Sequence, residues 1–198
     1  KNDWREVKKF DIYYSTDVNY YLRHFQPEKY RSIEDLITHE ISFIDIEIEI
    51  DGKVVPGYSG ETLISIADRE GIDIPRFCYH KKLSVAANCR MCLVDIEGNP
   101  KPQPACSTPS SAGMKVHTKN EKAKTAQKAV MEFLLINHPL DCPICDQGGE
   151  CELQDVAMEY GSNVSIFTDG KRVVDVKGIG ALIQTDMTRC IHCTRCVR

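Results

Sequence analysis

The sequence predicts an α+β fold, from three observations. A strand pattern of period two begins near Phe43, helical apolar stripes begin near residues 63 and 120, and ten cysteines gather largely in the segments that connect these elements. From Phe43, Ile44, Ile46, Ile48 and Ile50 alternate with Asp45, Glu47 and Glu49, which reads as a half-buried strand. Asp51-Gly52 is a hairpin signal, and Lys53-Val54-Val55 is expected to return as a second strand that stops before Pro56. Leu63, Ile66 and Ala67 recur at helical spacing, with Gly71 as the stop. A further strand is expected over Met91–Ile96. Asn120 is placed to cap a second helix with an apolar stripe of Ala123, Ala126, Ala129, Val130, Phe133 and Leu134, ended by His138-Pro139. A short helix over Glu152–Tyr160 is stopped by Gly161, and residues 162–189 read as short strands and turns. Residues 1–42 stand apart: they hold Trp4 and the tyrosines 13, 14, 20, 21 and 30. They read as an extension, or as an arm that docks through aromatic anchors.

Composition narrows the function classes. A net charge of −4 gives no electrostatic case for nucleic acid. No apolar run approaches the ~20 residues that span a bilayer; the longest, Val130 to Ile136, is broken by Glu132. No secretory signal opens the chain, and the many acids near its start disfavour a mitochondrial transit peptide. Together with the close Cys-x2-Cys spacings, this predicts a reducing compartment rather than a disulfide framework. Gly178-Ile179-Gly180 lacks the third glycine of a dinucleotide fingerprint, and no phosphate loop is present.

The cysteines form three sets. The first, Cys78, Cys89, Cys92 and Cys106, is spaced C-x10-C-x2-C-x13-C. Four thiolates complete a 2Fe–2S site, two per iron. A structural zinc is the alternative, although zinc sites usually combine two close pairs. The small, polar loop before Cys92 allows backbone N–H groups to turn toward the sulfurs. The second set is His138, Cys142, Cys145 and Cys151, spaced H-x3-C-x2-C-x5-C. Alone it also fits a zinc site, and His138 could simply be a helix-terminal histidine. No spare cysteine lies nearby, so His138 is the expected fourth ligand of a 4Fe–4S cluster. Gly148-Gly149 would let the backbone fold closely over it.

The third set, Cys190, Cys193 and Cys196, is the C-x2-C-x2-C run of a 4Fe–4S site. It is one ligand short. His192 is expected beside the site rather than on it, and Asp186 is a poor substitute. The missing ligand is therefore expected beyond Arg198, which makes the chain the front portion of a longer subunit.

The segments NCRMCLVDIEG, HPLDCPICDQGGECELQD and TDMTRCIHCTRCVR resemble the N-terminal iron–sulfur part of the large subunit (the G or 75 kDa subunit) of NADH–quinone oxidoreductase, respiratory complex I. The resemblance covers about residues 43–198, with three differently spaced motifs in the family's order. It implies a ferredoxin-like β-grasp 2Fe–2S domain (43–119), a small His-Cys 4Fe–4S region of helix and loop (120–161) and the start of a further 4Fe–4S domain (162–198). It also implies relay of single electrons from a flavin subunit toward quinone, with other peripheral-arm subunits as partners, including the flavin- and NADH-binding one. The site would lie peripheral to an energy-transducing membrane, on the bacterial cytoplasmic or mitochondrial matrix side. The chain itself would bind neither NADH nor quinone. Similar modules occur in NAD-linked hydrogenases and formate dehydrogenases. A redox-silent zinc interaction module is the reading from a different class. Residues 1–42 do not match the family.

Overall fold

The computed structural model describes residues 45–198, so the extension expected at 1–42 lies outside the described residues. Strands β1 (Asp45–Ile50) and β2 (Lys53–Tyr58) form a hairpin whose register pairs Ile50 with Lys53. Asp51 and Gly52 both take positive φ, 50° and 85°. That conformation suits the right-handed twist of the flanking strands. Ile46, Ile48 and Ile50 are buried while Glu47 is exposed, as the period of two requires.

Contrary to expectation, β2 does not stop at Pro56. It runs on to Tyr58, with Pro56 opposite Glu47. The reason lies in the sheet order, β2-β1-β5-β3-β4, which leaves β2 at an edge. A proline costs no ladder bond on an edge.

Helix α1 (Leu63–Arg69) follows, then β3 (Leu93–Ile96), β4 (Gln103–Pro104) and β5 (Lys115–His117). The strand expected over Met91–Ile96 thus begins two residues later, at Leu93. β1 and β5 are parallel at the centre, and the other pairings are antiparallel. A mixed sheet of this order grasping one helix is the β-grasp arrangement. Leu63, Ile64, Ile66 and Ala67 of α1 bury against Ile46, Ile48, Ile50, Val55, Val94 and Val116 of the sheet. Burying each such side chain contributes about 1.5–3 kcal/mol. Cys92 and Cys106 belong to this same core.

Helix α2 (Glu121–Leu135) is capped as expected: the Asn120 side chain accepts from the Ala123 N–H at 2.9 Å. Its buried face differs from the predicted stripe. Ala123, Gln127 and Met131 face inward, whereas Phe133 is 74% exposed. The predicted phase fails because Gln127, a polar residue, lies on the inward face. Its amide donates to the Leu93 carbonyl at 2.9 Å, which makes a buried glutamine acceptable there. The helix ends at Leu135, before His138-Pro139.

A 3-10 turn (Cys142–Ile144), helix α3 (Glu152–Tyr160) and a small hairpin of β6 (Lys177–Gly178) and β7 (Gln184–Thr185) complete the described chain. Among the described residues no helix is long and apolar enough to cross a membrane. A second apolar cluster of Phe77, Met91, Met131 and Leu153 sits apart from the sheet core.

Candidate metal centres

The strands position the first set. Cys92 immediately precedes β3 and Cys106 follows β4 by two residues, so the antiparallel β3–β4 pairing sets these two thiols side by side. The Ala105 N–H donates to the Cys92 carbonyl at 2.9 Å and fixes that approach. Cys78 and Cys89 make a second pair. The N–H groups of Cys78 and Met91 both donate to the Cys89 sulfur, at 3.4 and 3.5 Å, as the small, polar loop allows. Three of the four cysteines are buried, and Cys89 is half-buried.

Within the sheet-held pair, the hydrogen bond from Cys106 draws the Cys92 thiol down to about 7, against the effect of burial, and Arg76 adds attraction for the thiolate. The same shared bond, with burial, pushes Cys106 up. Burial also raises Cys89, against the backbone N–H donors. Cys92 is therefore the member poised to be a thiolate, the form that ligates metal. Two pairs of thiols suit two irons with two thiolates each.

The second set converges. His138, Cys142, Cys145 and Cys151 line one cavity of about 120 Å³, with Leu135, Gly148 and Arg189 also in its wall. A single water needs only about 10–15 Å³, so the space suits a larger group. Gly148 forms part of the cradle: a Cβ there would stand 2.6 Å from the Cys142 carbonyl oxygen and 3.1 Å from that of Cys145. Gly149 takes φ +90°, and its N–H donates to the Gln154 side chain at 3.0 Å. The His138 imidazole is held below its ordinary pKa, by burial first and then by the nearby Lys171 and Arg189 cations. That keeps it neutral, the form able to ligate. Lys171 also caps the α2 C-terminus, donating to the carbonyls of Leu135 and Ile136 at 2.8 and 3.1 Å.

The third set is the most open: Cys190 and Cys196 are exposed and Cys193 is half-buried. The backbone is strained, with φ +55° at His192 and +63° at Thr194, a region non-glycine residues seldom adopt. The Thr194 hydroxyl is buried without a hydrogen-bond partner in the described chain. Strain and an orphaned hydroxyl inside a cysteine loop fit a loop shaped to hold a group. The His192 N–H reaches the Cys190 sulfur at 3.4 Å. Asp186 is engaged by Arg189, at 2.9 Å.

Among the described residues no three His, Cys, Asp or Glu side chains are arranged to hold a single metal ion. Donors around a cluster of several irons stand wider apart than donors around one ion.

Sequence reasoning missed what lies between the sites. Cys89, Cys151 and Cys193, one from each set, pack against the same Phe77–Met91–Met131–Leu153 cluster. Isolated apolar residues scattered over some eighty positions carry no local pattern, so only the fold reveals this shared floor.

Comparison with known proteins follows the same division. Residues 45–121 match a 2Fe–2S iron–sulfur cluster binding domain, residues 127–165 the NADH–ubiquinone oxidoreductase-G iron–sulfur binding region, and residues 180–198 the ferredoxin-like domain of NADH–quinone oxidoreductase subunit 3. The chain is 56% identical, over 77% of its length, to the mitochondrial NADH dehydrogenase [ubiquinone] iron–sulfur protein 1 of Solanum tuberosum, of which it covers 21%. It is 54% identical, again over 77%, to the NADH–ubiquinone oxidoreductase 75 kDa subunit of Reclinomonas americana, covering 22% of it. With the NADH–quinone oxidoreductase G subunit of Rickettsia felis it shares 53% identity over 77%, covering 23%. The chain thus spans about a fifth of the length of the curated relatives it matches. In the crystal structure of an NAD+-reducing [NiFe]-hydrogenase in the H2-reduced state, one chain superposes with a TM-score of 0.70 at 28% identity, over 77% of this chain and 64% of that one. The homologues at 53–56% identity are thus large iron–sulfur subunits, the 75 kDa or G subunit, of NADH–quinone oxidoreductase, and this chain matches their N-terminal portion.

Proposed function

We propose that this chain is an electron-transfer iron–sulfur module of NADH–quinone oxidoreductase, relaying single electrons from a flavin subunit toward quinone. One observation carries the reading: three differently built thiol sites each lend a cysteine to one apolar cluster. Cys78, Cys89, Cys92 and Cys106 would hold a 2Fe–2S cluster. His138, Cys142, Cys145 and Cys151 would hold a 4Fe–4S cluster. Cys190, Cys193 and Cys196 would give three ligands to a second 4Fe–4S cluster. Such clusters, when bound, supply one-electron redox centres.

The chain's own residues do the rest. The β3–β4 pairing orients one pair of thiols, and backbone N–H groups aimed at Cys89 favour a more negative, reduced centre. A neutral His138 in place of a thiolate lowers the negative charge at the second site, which raises its potential other things equal. Phe77, Met91, Met131 and Leu153 supply the buried apolar surface against which one cysteine of each set packs.

The corresponding domain division is 43–119, 120–161 and 162–198. Partners would be the other peripheral-arm subunits, including the flavin- and NADH-binding one, beside an energy-transducing membrane on its cytoplasmic or matrix side. The likeness to a hydrogenase chain supports a shared module. Its 28% identity against 53–56% for the subunit relatives favours the respiratory reading.

The test is iron and acid-labile sulfide analysis with EPR on reduced, anaerobically prepared protein. Signals from both a 2Fe–2S and a 4Fe–4S centre are expected, whereas stoichiometric zinc without iron would sink the relay. Substituting His138→Ala should abolish or alter one 4Fe–4S signal and leave the 2Fe–2S signal intact. If every centre survives unchanged, His138 is not a ligand.

A further inference from the structure

The third cysteine run is clasped to the loop of the first set, and two arginines make most of the clasp. Arg198 donates to the Cys78 carbonyl at 2.6 Å and to the Ser84 carbonyl, while its Nε holds the Thr194 carbonyl of its own loop at 3.2 Å. Arg195 donates to the Tyr79 carbonyl at 3.0 Å. From the other side, the Asn88 amide donates to the His192 carbonyl at 2.9 Å. The two arginines differ in one respect. Arg195 is ion-paired with Glu152 at 3.2 Å, whereas Arg198 forms no ion pair among the described residues and is half-buried.

A guanidinium is always charged, and one that directs its fork to carbonyls has no carboxylate beside it to offset that charge. Here that charge is anchored on the backbone of a cysteine from the first set. A four-thiolate 2Fe–2S centre becomes more negative on reduction, so a fixed cation beside it favours the reduced form. A unit charge within about 10 Å, at the intermediate dielectric of a protein surface, shifts such an equilibrium by about an order of magnitude.

We propose that Arg198 is a positioning residue that sets the potential of the first centre from the loop of the third, so that the two sites are electrostatically coupled. This rests on the assignment of a 2Fe–2S cluster to Cys78, Cys89, Cys92 and Cys106. Through the same hydrogen bonds, Arg198 ties the exposed C-x2-C-x2-C run to a buried part of the fold.

The experiment is an EPR-monitored redox titration of the full chain with its clusters, native against R198Q, R198K and R195Q. In R198Q the reduced-to-oxidised ratio of the 2Fe–2S centre at fixed poise should fall about tenfold, which is about 59 mV for one electron. The His138-site 4Fe–4S centre should keep its potential. R198K, which retains the charge, should stay near the native value. R195Q should shift in the same direction by less, because Glu152 already offsets that charge.

An unmoved 2Fe–2S potential in R198Q overturns the proposal, and so does an equal fall in R198K or a parallel fall at the His138 site. If R198Q assembles no 2Fe–2S centre, R195Q decides: a small fall supports the coupling and no fall overturns it. A native protein without any 2Fe–2S signal overturns the cluster assignment and this proposal together. A native signal whose potential R198Q leaves in place overturns the coupling alone.

Discussion

The first and third cysteine sets hold their thiols in opposite ways. Cys92 and Cys106 are packed into the sheet core, where strand pairing fixes them before any metal arrives. Cys190 and Cys196 stand in the open, on a loop with two residues at strained positive φ. A loop of that kind is held by what it binds and by its neighbours, here through Arg195, Arg198 and Asn88. The fold thus preorganises the first set directly, and the third takes its rigidity from contacts with the first. The second set lies between these extremes: His138 and its three cysteines share a cavity, but their loop depends on one tight glycine contact.

The largest expected effect tests the shared floor beneath all three. Met131 is fully buried in it, and Met131→Ala should cost about 2–5 kcal/mol of stability through lost burial and a residual cavity. Thermal unfolding of the cluster-loaded protein would measure this, and EPR should show disturbance at more than one centre. A loss below about 1 kcal/mol would mean that the floor yields easily and does not unite the sites.

The comparison of first and third sets predicts an asymmetry in the effect of cysteine removal. Cys106→Ala should abolish the 2Fe–2S signal and also lower the thermal midpoint, because the side chain is part of the sheet core. Cys196→Ala should leave the midpoint of the sheet domain nearly unchanged, since surface changes usually stay within about 0.5 kcal/mol. Equal destabilisation by both would break the distinction.

What is legible in the sequence follows the same line between local and distant causes. The hairpin at Asp51-Gly52, the Asn120 cap and helix α3 are local signals, and each appears where its residues place it. The convergence of His138 with Cys142, Cys145 and Cys151 is also readable, because all four lie within one short stretch. Other features depend on neighbours far along the chain. Pro56 can continue a strand only because β2 is an edge, and Gln127 can face inward only because the Leu93 carbonyl lies opposite. The floor of Phe77, Met91, Met131 and Leu153, and the reach of Arg198 to Cys78, join residues with no periodic relation.

A smaller and more selective effect is expected at the second site. Gly148→Ala puts a methyl group 2.6 Å from the Cys142 carbonyl oxygen, so the backbone of this cysteine loop must move. Overpacking of this kind costs about 1–3 kcal/mol. The His138-site signal should weaken or broaden in EPR while the 2Fe–2S spectrum stays as in the native protein. Disturbance of the 2Fe–2S spectrum instead would mean that the two loops are not independently held.

The mildest prediction concerns the joint between the sheet and the second site. Asn120 caps α2 with its oxygen while its amide donates to Asp95 of β3 at 2.8 Å, and Lys122 closes on the same carboxylate at 2.6 Å. The cap therefore does more than start a helix: it ties the N-terminus of α2 to the strand that begins beside Cys92. Removing it by Asn120→Ala should cost about 1 kcal/mol, the usual value for a lost N-cap. Asn120→Asp would keep an acceptor for the Ala123 N–H but would set a second carboxylate against Asp95. If the cap alone matters, the aspartate variant should be as stable as the native protein in thermal unfolding. If the link to β3 matters, both variants should lose stability together, because in each the amide donor to Asp95 is gone.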